Sequence, residues 1–133
     1  MKYMLDTNIC IYAIKQKPEK VFQKLQECSP EDVCISAVTY AELLHGVEKS
    51  AAVEKNRLAL ALLLSSIEIF DFDTKAAEAY GIIRADLEKK GTPIGPLDMM
   101  IAGHAVSKGY ILVTNKTREF RRIGRLRLEN WAL

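Results

Sequence analysis

The chain has 133 residues, 49% hydrophobic and 27% charged, with a formal net charge of +2. That length fits one domain, residues 1–133, able to bury roughly two thirds of its unfolded surface, and the composition excludes the disordered, collagen-like and disulfide-stapled classes. Three cysteines, Cys10, Cys28 and Cys34, form an odd set without CxxC spacing, and no secretory segment precedes them, so reduced thiols and a cytoplasmic location are expected.

The first apolar run, "KYML" at 2–5, is short and bounded by polar residues, as a buried strand is. A helical stretch follows over 8–26, where Pro18 must end or kink one helix before a second begins. "VCI" at 33–35 reads as the second strand, followed by helices over 37–48 and 51–64. The second of these contains "LALALLL" at 58–64, far short of the ~20 residues a membrane span needs. "IEIFDF" at 67–72 reads as the third strand, and a helix over 74–90 starts at a Thr74 cap and stops at Gly91. Pro96 suits a first helical position, Gly109 the turn after that helix, and "YILVT" at 110–114 is the last strand. Strands alternating with helices predict an α/β fold: a three-layer α/β/α sandwich with a mostly parallel central sheet.

Open α/β sheets hold ligands beyond the carboxyl ends of their strands. Four carboxylates occupy such places: Asp6 after the first strand, Glu42 in the helix after the second, Asp98 in a first helical turn and Glu119 after the last strand. Each also has a plain structural reading. Asp6 can cap its helix, and Asp98 can complement a helix dipole. Glu42 completes a capping box with Thr39 in "TYAE", unless Ser36 starts the helix and leaves Glu42 free. Glu119 can pair with Arg118 or Arg122.

Gathered in one crevice, the acids could not all ionise without a cation, since two carboxylates ~5 Å apart repel by about 3 kcal/mol at an effective dielectric of 20. Hard oxygen ligands suit Mg²⁺ or Mn²⁺, and such a centre activates water for attack on phosphorus. The segment "KTREFRRIGRLR" at 116–127 sets six basic residues against Glu119 alone, leaving the rest of the chain net acidic. Lys116, Arg118, Arg121, Arg122 and Arg125 are therefore candidates for holding the phosphates of a polyanion beside the acids.

The ordered motifs "MLDTNICIYAIK", "ISAVTYAELLHGVEKS", "GTPIGPLDMMIAGHA" and "LVTNKTREFRRIGRL" resemble those of PIN-domain ribonucleases over nearly the whole chain, in particular the VapC-type toxins of bacterial toxin–antitoxin pairs. The resemblance implies a PIN-like sheet with Asp6, Glu42 and Asp98 as the main metal-binding acids and Glu119 as an accessory one. Thr7 and Asn115 would support them, Asn115 as an amide where some relatives carry an acid. It further implies a Mg²⁺- or Mn²⁺-dependent endoribonuclease acting on structured RNA, typically tRNA in the anticodon stem-loop and initiator tRNA among them. A toxin homodimer and a cognate antitoxin that blocks the site are also implied.

Two other readings stay open. Asp6 could be a phosphatase nucleophile, although "DTN" lacks the second acid of a DxD start, and the fold could be a non-catalytic RNA- or protein-binding module with a residual acidic site. His45 and His104 have no HxxxH or HExxH spacing and read as structural. Cys10 and Cys34 suit buried apolar roles, and Trp131 suits docking of the C-terminus.

Overall fold

The computed structural model describes residues 2–133. A five-stranded, all-parallel sheet forms its centre, with β1 (Tyr3–Leu5), β2 (Val33–Ser36), β3 (Glu68–Phe70), β4 (Ile111–Val113) and β5 (Arg127–Glu129) in the order β3-β2-β1-β4-β5. The helices are α1 (Thr7–Lys15), α2 (Glu19–Glu27), α3 (Ala37–Glu48), α4 (Val53–Leu64), α5 (Thr74–Lys89), α6 (Pro96–Lys108) and the single turn α7 (Thr117–Phe120).

Side chains of the central strands alternate between two cores. Leu5, Val33, Ile35 and Val113 pack with Ile9, Val21, Leu43 and Leu60 from α1–α4. Met4, Cys34 and Leu112 point the other way, to Ile83, Leu87, Ile101 and Ala105 from α5 and α6. Covered on both faces, these strands carry no polar alternation, and each fully buried Leu or Ile contributes about 1.5–3 kcal/mol. On the second face α6 lies so close to α5 that a Cβ at Gly103 would stand 2.8 Å from the Tyr80 backbone nitrogen.

As expected, the helical stretch divides at Pro18 into two helices: α1 closes at Gln16 in the left-handed conformation, and Pro18 precedes α2. Other local expectations are corrected. The cap of α5 is Asp73, whose carboxylate accepts from Ala76 N at 2.9 Å, and Thr74 is only the first helical residue. The third strand is shorter than 67–72, and the strand at 111–113 is not the last. β5 adds an outer strand starting at the last residue of the basic tract, where "RLE" has too little apolar pattern to announce a strand. Trp131 docks the C-terminus, its ring 5.3 Å edge-on from Tyr3 and its Nε1 donating to Glu129 at 2.9 Å. Cys10 and Cys34 are buried free thiols. Among the described residues no helix is long and apolar enough to cross a membrane.

The strand order fixes where a ligand can sit. The chain moves outward from β1 to β2 and β3, then returns to lay β4 on the other side of β1, so the crevice beyond β1 and β4 is the switch point of the sheet.

Candidate active site

Asp6 is the first residue after β1, and its backbone nitrogen continues the ladder by donating to Val113 O at 2.9 Å. The side chain is 1% exposed. One oxygen accepts from Thr7 N at 2.8 Å, capping α1, and the other accepts from Thr114 Oγ1 at 2.7 Å across the switch point. Burial raises the Asp6 pKa and the nearby Asp98 charge adds to this, against the opposing pull of the Thr114 and Thr7 hydrogen bonds and of Lys116. Capping and membership of an acidic group are thus both true of this residue.

Ser36, not Thr39, caps α3, its Oγ accepting from Val38 N at 3.1 Å. That frees Glu42 from the capping box. The next turn of α3 aims it at α1, where Thr7 Oγ1 donates to Glu42 Oε1 at 2.6 Å. Asp98 stands in the first turn of α6 behind Pro96, and Lys116 Nζ donates to its Oδ2 at 3.3 Å. Partial burial opposes the charge on Lys116, but Asp98, then Asp6 and Glu42, outweigh it and raise its pKa. One ammonium, in contact with Asp98, therefore lies in the field of three carboxylates carried by the cap of α1, by α3 and by α6.

Asn115 lies alongside rather than within this group. Its amide donates to the Tyr12 hydroxyl at 3.0 Å and accepts from Asn8 Nδ2 at 3.4 Å, tying the turn after β4 to α1. Glu119 is half-buried on α7, and among the described residues its carboxylate forms no hydrogen bond or ion pair, with Arg118 and Arg122 included. The basic residues diverge. Arg118, Arg121, Arg122 and Arg125 are exposed; Arg122 donates to Pro93 O at 3.2 Å, while Arg125 lines a groove of about 320 Å³ with α5 and Arg121 lines another beside Glu129 and Asn130.

Among the described residues no three His, Cys, Asp or Glu side chains are drawn together closely enough to hold an ion as they stand. A cation nonetheless sits there, the Lys116 ammonium, and the surrounding donors are all hard carboxylate oxygens. That donor chemistry fits a divalent ion of the Mg²⁺ or Mn²⁺ type.

The PIN domain family model matches residues 3–126. The chain is 49% identical over 132 residues to the tRNA(fMet)-specific endonuclease VapC of Salmonella typhimurium, covering 99% of each, and 46% identical to ribonuclease VapC2 of Rickettsia felis, covering 98% of each. It superposes on the crystal structure of DNA-bound VapBC from Salmonella typhimurium with a TM-score of 0.93 over 98% of both chains. The chain belongs to the PIN-domain family, among the VapC ribonucleases.

In this VapC chain two contributors escape a reading of the sequence. Thr114 links Asp6 to the turn after β4, since its Oγ1 also accepts from Lys116 N at 3.0 Å. A threonine at a strand end carries no signal of that role. Tyr12 supports Asn115, and its spacing of four from Asn8, which puts both on one face of α1, is the signal that could have found it.

Proposed function

We propose that this VapC chain is a Mg²⁺- or Mn²⁺-dependent endoribonuclease toxin that hydrolyses tRNA, with the initiator tRNA anticodon stem-loop as its target. A cognate antitoxin holds it inactive in the bacterial cytoplasm, and the toxin acts as a homodimer within the larger complex. The observation that carries this reading is the Lys116 ammonium at the switch point, paired with Asp98 at 3.3 Å and with its pKa raised by Asp98, Asp6 and Glu42. The naming of the Salmonella relative for tRNA(fMet), and the crystallisation of that VapC type in VapBC assemblies, support the choice of substrate and partner.

Asp6, Glu42 and Asp98 would hold the ion, with Glu119 as accessory acid. When bound, the ion lowers the pKa of water and offsets charge on the phosphate. Thr114 and Thr7 fix both Asp6 oxygens, and Thr7 also orients Glu42, so the first acid is set before any ligand arrives. Asn115, held by Tyr12 and Asn8, keeps the turn after β4 in place. Arg118, Arg121, Arg122 and Arg125 supply positive charge for flanking phosphates, which position an RNA without reading its sequence.

Incubation of the purified chain with total tRNA, in Mg²⁺ and in EDTA and beside Asp98→Asn, tests the proposal. Discrete cuts that need Mg²⁺ and vanish in the variant are expected. Binding without cleavage in any metal would replace the enzyme by a binding module.

A further inference from the structure

Six ion pairs occur among the described residues, and in five of them the acid is well exposed, its side chain at 52–88%. The sixth, Lys116 to Asp98, differs: the carboxylate is 16% exposed beneath an ammonium at 41%. Surface pairs contribute little and turn over freely, whereas this lysine covers a mostly buried acid with two further carboxylates, Asp6 and Glu42, in its field.

We propose that Lys116 is a tethered cation that occupies Asp98 until a divalent ion displaces it, and that the displaced ammonium then contacts an RNA phosphate. The inference rests on the metal-dependent reading above and adds to it a residue that competes for the same acid. Its geometry suits the exchange. The Lys116 backbone is pinned, with N donating to Thr114 Oγ1 at 3.0 Å while that hydroxyl donates to Asp6 Oδ2 at 2.7 Å. The root of the side chain is thereby fixed next to the acids. The four-carbon stem remains flexible and ends in a compact point charge, which can leave one anion for another without moving the backbone.

Charge favours both states in turn. Without a divalent ion the three acids need a counter-charge, and Lys116 supplies one. With an ion of charge +2 in place, the ammonium is repelled from it and retains only the solvent side, where a phosphate approaches. A phosphate that captures the ammonium also removes it from Asp98, so RNA and metal assist each other's binding, as linkage requires.

Calorimetric titration of Mn²⁺ into EDTA-stripped protein tests this, comparing wild type with Lys116→Gln, Lys116→Met and Lys116→Arg, each checked for native thermal unfolding. Removing the charge should tighten Mn²⁺ binding about tenfold, with Arg staying near wild type. At saturating Mn²⁺, Gln should raise KM for tRNA. A lysine with a purely structural role would leave Mn²⁺ affinity unchanged or lower it in the variants, and that result overturns the proposal while keeping the metal site. Tighter Mn²⁺ with an unchanged KM would overturn the phosphate contact. Failure of every form, wild type included, to bind Mn²⁺ would overturn the metal-dependent reading and this proposal with it.

Discussion

Asp6 and His104 make an instructive pair. Both are buried, both titrate, and both meet a hydroxyl near the carboxyl end of a strand. His104 Nδ1 lies 2.8 Å from Ser36 Oγ, which already accepts from Val38 N and is free to donate to a neutral ring. The Phe72 ring stands edge-on 5.6 Å away. Burial, then Lys108, lowers the His104 pKa against a smaller opposing pull from Asp73, and so favours the uncharged ring. Asp6 is the opposite case: burial raises its pKa and Asp98 raises it further, against the Thr114 and Thr7 hydrogen bonds and the Lys116 charge, which favour the ionised form. Burial favours the neutral form of both groups, but Asp6 stands beside a second acid, Asp98, and a counter-charge, Lys116, whereas the ring of His104 needs none.

The contrast can be broken at either end. The largest effect is expected at Asp6→Asn. Asparagine is as good a helix cap as aspartate, but with one acceptor oxygen it keeps Thr7 N and not Thr114 Oγ1, and it brings no charge to the ion, so tRNA cleavage should fall more than about a hundredfold. A carboxyl whose pKa is raised on folding stabilises below its unfolded value and loses that contribution as pH rises through the folded value, so wild-type stability in EDTA should fall with rising pH over that range relative to Asp6→Asn. Equal slopes in the two proteins would contradict the raised pKa.

Thr114→Val should come next, lowering cleavage by about 10–100-fold because it frees one Asp6 oxygen and the Lys116 backbone together; wild-type rates would remove Thr114 from the site. On the structural side, Gly103→Ala should cost about 1–3 kcal/mol in urea unfolding, since the added methyl meets the Tyr80 backbone rather than a movable side chain. A cost near zero would show that α5 can retreat. The smallest effect is the titration of His104. Its pKa is lowered from 6.5 on folding, so its contribution to stability is full above that value and is lost as pH falls through the folded one. Stability measured from pH 7 downward should therefore decline more steeply in wild type than in His104→Gln, and equal slopes would show that the ring does not titrate with folding.

Much of this architecture was legible because parallel strands buried on both faces leave unbroken apolar runs, as at 33–35 and 110–114. β5 and α7 were not, because a single turn inside a tract of arginines and three residues at its end bury too few side chains to mark a period. For the site, strand-end position singled out Asp6 and the first-turn position Asp98, but Glu42 hung on whether Ser36 or Thr39 began the helix, which only the observed hydrogen bond of Ser36 to Val38 decides. The basic tract reads as one patch in sequence, yet Lys116 turns to Asp98 while Arg125 joins a groove beside α5, since a chain that passes from turn to strand spreads neighbouring residues over different faces.

The central claim is that the acids at the switch point direct hydrolysis of an RNA phosphodiester, and the chemistry of the cut ends tests it most directly. Fragments of tRNA released by the metal-loaded chain should carry a 5′-phosphate on one side and a 3′-hydroxyl on the other, the products of attack by water. Fragments ending in a 2′,3′-cyclic phosphate, formed equally well in EDTA, would mean that the RNA's own 2′-hydroxyl attacks and that Asp6, Glu42 and Asp98 serve some other end.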